Sequence, residues 1–122
     1  FYWANNLKYK KFTFSTGFTY RVGVPFSSIG GQNDNFGIIR NGINDERLPN
    51  YHRLDFSSTY DFKLSKKVKA KVGVSLLNIY NQGNILKREY ENKITPDNNF
   101  VLVKNDTKSQ GFTPNFFFRV SF

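Results

Sequence analysis

The chain contains no cysteine and no methionine, one tryptophan and one histidine. Without cysteine there is no disulfide framework, no thiolate metal site and no cysteine nucleophile. His52 is the sole histidine, so a histidine-rich metal centre or a Ser-His-Asp triad lacks material within these residues. Gly-rich phosphate loops, Gly-x-Ser-x-Gly and His-Glu-x-x-His are missing. No apolar run reaches the roughly 18 residues of a membrane-crossing helix, and Phe1-Tyr2-Trp3 does not read as a signal or targeting segment. The expectation is a protein that is not an enzyme and carries no metal or other cofactor.

What is present is aromatic side chain and positive charge together. The 122 residues include 14 Phe and 7 Tyr beside 18 Lys+Arg and 9 Asp+Glu, for a net charge of +9 and a mean hydropathy of −0.54. Such aromatic content argues against disorder and asks for an arrangement that separates greasy from charged residues. By length alone the chain suits one domain.

The separation has a period of two. From Lys11 to Val24, Phe12, Phe14, Thr16, Phe18, Tyr20, Val22 and Val24 alternate with Lys11, Thr13, Ser15, Gly17, Thr19, Arg21 and Gly23, with Thr16 as the one exception on the apolar side. Leu54 to Leu64 sets Leu54, Phe56, Ser58, Tyr60, Phe62 and Leu64 against Arg53, Asp55, Ser57, Thr59, Asp61 and Lys63, with Ser58 the exception on the apolar side. Val68 to Leu76 and the C-terminal Asn115 to Phe122 repeat the pattern, with Phe117 as the one large apolar residue on the polar side. Successive residues of a strand face opposite sides, so these are two-faced β-strands. No stretch has helical spacing, and the chain is expected to be all-β. Leu77-Asn78-Ile79 breaks the alternation and suggests a bulge or a change of environment.

The connections are unequal. Ser65-Lys66-Lys67 reads as a tight turn, and Asn5-Asn6 as another, which leaves Phe1 to Ala4 as the stub of an earlier strand. Ser27 to Asn50 and Glu89 to Gly111 read as long loops, with Phe100 to Val103 as a strand inside the second. Both long loops are slightly acidic, while Lys8, Lys10, Lys11, Lys63, Lys66, Lys67, Lys69 and Lys71 crowd the short-turn end. Alternation alone fits a soluble β-sandwich. Four long strands cannot bury an apolar face by themselves, however, and no further sheet is evident. Apolar stripes of about 9–11 residues match strands that cross a bilayer. Short turns at one end and long loops at the other match outer-membrane barrels.

Three segments then resemble TonB-dependent outer-membrane receptors. Arg47-Leu48-Pro49-Asn50-Tyr51-His52-Arg53-Leu54-Asp55 is similar to the opening of a late barrel strand in that family. Lys71-Val72-Gly73-Val74-Ser75-Leu76-Leu77-Asn78-Ile79-Tyr80-Asn81 resembles the penultimate strand with its Asn-x-Tyr-Asn ending. Gly111 to Phe122 resembles the final strand, closing on a C-terminal Phe. The resemblance implies an antiparallel transmembrane β-barrel fragment: the last four strands and a stub of a fifth, from a barrel of about 22 strands. Residues 1–122 would be the C-terminal part of the barrel domain, with the plug domain outside this chain. The implied function is import of a scarce nutrient, such as a siderophore or another small ligand, with TonB-coupled energy. The implied location is the outer membrane of a Gram-negative bacterium. The implied partners are outer-membrane lipid, the remaining strands and plug, TonB, the outer-membrane assembly machinery and a surface lipoprotein. A passive porin-type barrel and a soluble basic module that binds nucleic acid or protein are the alternatives. Strict alternation puts basic and aromatic residues on opposite faces, which disfavours a nucleic-acid stacking platform, so no nucleic acid is expected.

Five loop residues are candidate ligand contacts: Asn33, Asn35, Phe36, Arg40 and Asn41. Arg21, Arg53, Asp55, Asp61 and Arg119 share the polar face and are expected to form ion pairs along the barrel interior. Phe122 is the expected assembly signal, and no catalytic residue is expected.

Overall fold

A computed structural model describes residues 1–33, 35 and 37–122. These residues form eleven β-strands and no helix. They divide into two compact units: one of Phe1–Arg21, His52–Gly83 and Gln110–Phe122, the other of Val22–Tyr51 and Asn84–Ser109.

The first unit is a five-stranded sheet. Its strands are β1 (Tyr2–Tyr9), β2 (Phe12–Arg21), β7 (Tyr51–Lys63), β8 (Lys69–Leu77) and β11 (Thr113–Ser121), in the spatial order β1-β2-β7-β8-β11. The pairs β1/β2, β7/β8 and β8/β11 are antiparallel. The Asp61 N–H donates to the Lys11 carbonyl at 2.9 Å, so the start of β2 meets the end of β7.

Registers keep every apolar stripe in phase. Leu7 lies opposite Phe14, Tyr9 opposite Phe12, Tyr60 opposite Val72, and Val72 in turn opposite Phe118. Because facing residues share a side, a slip of one residue anywhere would mix the two faces. Across β2 and β7 the rings form a ladder, with centroids 4.6 Å apart for Phe12–Tyr60 and 6.4 Å for Phe14–Phe56. Such pairs stabilise neighbouring strands beyond their buried area.

The aromatic face is not a protein core. Among the described residues, Leu48 and Ala70 are the only buried hydrophobic ones. Phe116 and Phe118 are 80% and 62% exposed, and Leu7 is 64% exposed.

The sheet corrects two expectations about its ends. β1 runs straight through Asn5-Asn6, which pair with Thr16 and Ser15, and the turn falls at Lys10-Lys11, where Lys10 has φ of 53°. The stub is therefore a full strand of eight residues. β2 stops at Arg21 instead of reaching Val24. Beyond it Gly23 lies against the Leu48 backbone, where an added Cβ would sit 1.6 Å from the Leu48 carbonyl oxygen.

The Asn78 region is a strand end, not a bulge. Asn78 and Asn81 take φ of 53° and 54°, a left-handed conformation that asparagine tolerates better than most residues. The Asn78 side chain is 1% exposed. Its amide donates to the carbonyls of Gln82 and Gln110 at 2.9 and 3.1 Å, and its oxygen accepts the Gln82 N–H at 2.9 Å. Asn81 accepts the Phe112 N–H at 2.9 Å. The asparagines of Asn-Ile-Tyr-Asn thus fasten the end of β8 to the start of β11.

The second unit shows that both long connections carry strands, where one was expected only over Phe100 to Val103. It holds three hairpin-like pairs: β3 (Pro25–Phe26) with β6 (Glu46–Arg47), β4 (Ile29–Gln32) with β5 (Ile38–Arg40), and β9 (Ile85–Ile94) with β10 (Phe100–Lys108). The strand expected over Phe100 to Val103 is the start of β10. The β9–β10 turn is closed by Thr95 and Asn99, whose backbones pair at 2.8 Å, with Asn98 at φ of 62°.

Candidate functional site

On the polar face of the five-stranded sheet, the acidic residues are held by separate cations. Asp55 meets Arg53 at 2.7 Å and also accepts the Asn78 N–H at 2.9 Å. Asp61 meets Lys71 across the β7–β8 ladder at 3.3 Å. Arg119 lies opposite Lys71, and Arg21 ends β2. His52 Nδ1 lies 2.9 Å from the Tyr80 hydroxyl. Nothing here pairs two carboxylates for acid–base work. Pairs as exposed as Asp61–Lys71 are worth about 0–1 kcal/mol and set register more than stability. Phe122 follows β11 and is almost wholly exposed.

The loop candidates separate into two kinds. Asn33 accepts the N–H of Asn35 and of Gly37 at 3.2 and 2.5 Å, an Asx turn that consumes its carbonyl. Asn35 takes part through its backbone. Asn41 donates from its amide to Ser28 Oγ at 3.0 Å, and from its backbone to the Ser28 carbonyl at 3.1 Å. Ser28 is buried; its N–H donates to Asp45 Oδ1 at 2.7 Å, and its hydroxyl hydrogen-bonds Asp45 Oδ2. The Ser28 hydroxyl, then the Ser28 N–H, hold the Asp45 carboxyl below its ordinary range. Asn33 and Asn41 therefore serve the loop itself. Phe36 lies outside the described residues.

Arg40 is the exception, because it lines a cleft. The cleft holds about 300 Å3, and its walls include Phe26, Ile29, Ile38, Arg40, Arg88 and Tyr90. Its geometry begins with two glycines. Ile29 lies opposite Arg40, while Gln32 lies opposite Ile38, with a register shift between Ile29 and Gly31. Ile38 and Arg40 share a face by period two. Ile29 and Gln32, three residues apart, therefore share that same face, which only the bulge at Gly30-Gly31 permits. Gly31 has φ of 148°, a region that favours glycine.

The opposite wall is β9. Arg88, Tyr90 and Asn92 alternate onto one face of that strand, and Gln32 Nε2 donates to Asn92 Oδ1 at 2.5 Å. Arg88 and Asp106 face each other across the β9–β10 ladder and join as a two-pronged fork at 2.7 and 2.9 Å. The guanidinium carbon of Arg88 sits 5.3 Å from the centre of the Phe26 ring. The fork raises the Arg88 pKa and lowers that of Asp106. Lys87 is paired with Glu89 at 2.6 Å. Among the described residues no carboxylate pairs with Arg40. The cleft thus joins two aromatic rings and two isoleucines with one uncommitted guanidinium.

This arrangement can hold a small ligand through its rings, its isoleucines and one guanidinium. Among the described residues no three His, Cys, Asp or Glu side chains gather as a metal site. Sequence reasoning found Arg40 and missed Phe26, Ile29, Ile38, Arg88 and Tyr90. The available signal was Gly30-Gly31 between two isoleucine-bearing segments, a bulge signature. No family model, curated protein or solved structure gives a significant match to the chain.

Proposed function

We propose that the chain is the C-terminal wall of a TonB-dependent outer-membrane receptor. Its five-stranded sheet crosses the outer membrane of a Gram-negative bacterium, and its second unit belongs to the ligand-gathering exterior. The observation that carries this reading is the in-phase apolar face, interrupted by Asn5, Thr16 and Ser58 and exposed on Leu7, Phe12, Phe116 and Phe118. In water, so large an apolar surface would promote association. In a bilayer it is the surface that a barrel wall must present.

Three further features support it. The five strands have 8, 10, 13, 9 and 9 residues, near the roughly 9–11 that a tilted strand needs to cross a bilayer. β1 and β11 stand at the two edges of the sheet, each with one neighbour among the described residues. A membrane wall cannot leave such edges open in lipid, so further strands of the same receptor must close the barrel. Both short turns and the end of β11 fall at one end of the sheet, as the Asp61–Lys11 and Ser121–Lys69 pairings require.

On this reading the polar face of Arg21, Arg53, Asp55, Asp61 and Arg119 lines the lumen and meets the plug. Phe122 carries the signal read by the assembly machinery. TonB acts through the upstream part of the receptor, and a surface lipoprotein is a further partner. The role is import of a scarce small ligand.

These 122 residues contain no cysteine, so labelling above that of the unsubstituted full-length protein reports the introduced residue. Single variants F116C, F118C, N115C and R119C are placed in the full-length protein and expressed in a Gram-negative host. A water-soluble maleimide should label N115C and R119C in outer-membrane fractions. F116C and F118C should label only after the membrane is dissolved and the protein unfolded. Equal labelling of all four, or recovery of the protein outside the membrane fraction, overturns the proposal.

A further inference from the structure

We infer that the cleft between β4–β5 and β9 binds a small aromatic carboxylate, with Arg40 holding the anionic end and the rings and isoleucines enclosing the apolar body. This deepens the proposed receptor role, which supplies only the idea that the bound molecule is a cargo; the binding itself stands on the cleft.

Charge selects the anion. Three cations and one carboxylate line the cleft. Arg88 is consumed by its fork to Asp106, and Lys87 by Glu89. Arg40 is left as a planar donor with no carboxylate partner among the described residues. A guanidinium meets a carboxylate through two parallel N–H···O bonds, the strongest arrangement open to it.

The walls select the body of the ligand. Ile29 and Ile38 stand on the same face as Arg40, because the Gly30-Gly31 bulge turns Ile29 inward. Tyr90 faces them from β9. At about 300 Å3 the cleft is at the small end of the roughly 300–1,000 Å3 seen for small-molecule pockets. That suits a single ring with a short acidic arm. A bare inorganic anion would leave the apolar walls wet and gain only the contact with Arg40.

The bulge and the Gln32–Asn92 bond make this a prepared site. The bond joins the two walls at 2.5 Å. The fork fixes Arg88, whose guanidinium is held over Phe26. The cleft therefore does not need to be assembled by its ligand, which lowers the ordering cost of binding.

The test is calorimetric titration of benzoate into the full-length protein in detergent, with acetate and benzyl alcohol as companion probes. Benzoate should bind at least tenfold more tightly than either companion, since acetate lacks the ring and benzyl alcohol lacks the charge. R40Q should weaken benzoate binding roughly tenfold or more while leaving benzyl alcohol unchanged. R40K should fall between R40Q and the parent, because it keeps the charge and loses the fork. K93Q removes a cation from the same hairpin outside the cleft and should change nothing.

No measurable benzoate binding overturns the inference. So does acetate binding equal to benzoate, or a loss in K93Q as large as in R40Q, which would mean general attraction to a basic surface. Arg40 is exposed, so its substitution leaves the fold intact. Outer-membrane residence is read separately by the cysteine labelling. Binding without residence would overturn the receptor reading alone, and residence without binding would overturn this inference alone.

Discussion

The ring of Phe117 lies against Gly73, its direct partner in the β8–β11 ladder. A Cβ at position 73 would fall 2.4 Å from two ring carbons and 3.1 Å from the Thr59 methyl. This gives a large ring its place on the polar face: Phe117 covers bare glycine backbone in the middle of the sheet. Covering a strand glycine with a cross-strand aromatic ring compensates for the packing that glycine lacks.

G73A should therefore destabilise the protein by about 1–3 kcal/mol, the usual range for overpacking. F117A in the same chain should recover part of that loss, because it removes the obstructing ring. Denaturant unfolding followed by fluorescence, to which these residues contribute Trp3 alone among tryptophans, measures both. Additive losses in the double variant would contradict the pairing.

Asn78 is the most demanding single position in the five-stranded sheet. N78A removes three hydrogen bonds made from a buried side chain, to the carbonyls of Gln82 and Gln110 and from the Gln82 N–H. Such bonds contribute about 0.5–1.5 kcal/mol each, so a loss of about 3 kcal/mol is expected. Hydrogen exchange should report it first at Phe112 and Gln82, where β11 and β8 are fastened.

Acid should open the second unit through Asp45. Its carboxyl is held below the ordinary range in the folded chain, chiefly by the Ser28 hydroxyl. A depressed carboxylate pKa contributes stability that is present above the unfolded value, about 3.9 for Asp, and is lost as pH falls through the folded one. Asp106, held low by Arg88, adds to the same window. S28A removes the largest cause and should shift acid opening of this loop to higher pH. A pH series of amide exchange at Ser28 and Asn41 checks it, and an unchanged midpoint in S28A would contradict it.

Deleting Gly30 and Gly31 together should dismantle the cleft without disturbing the five-stranded sheet. Ile29 and Gln32 would become neighbours in β4 and point to opposite faces, and the Gln32–Asn92 bond would be lost. Protease cleavage near Arg40 should accelerate several-fold while cleavage within β7 and β8 stays as in the parent.

The sequence alone determined which residues share a face. Side-chain direction alternates along any strand, so the aromatic stripe from Phe12 to Tyr20 and the one from Phe56 to Phe62 were legible before any pairing was known. The Ser65-Lys66-Lys67 turn and the strand at Phe100 were legible for the same reason, as interruptions or renewals of a local pattern. Arg40 was one of five loop candidates, and nothing local set it apart from the other four.

The tertiary structure decided what depends on partners. Asn5-Asn6 has turn-like residues, yet a turn there would leave Leu7 and Tyr9 without Phe14 and Phe12, so cross-strand packing carries the strand on to Lys10. Asn78 looked like a flaw in alternation until its amide met Gln82 and Gln110, the latter 32 residues away in sequence. The cleft needed a bulge to override period two and a second hairpin to close it. Periodicity is a local property, written one residue after another. Register, bulges and the fate of each polar group are settled only by what arrives from elsewhere in the chain.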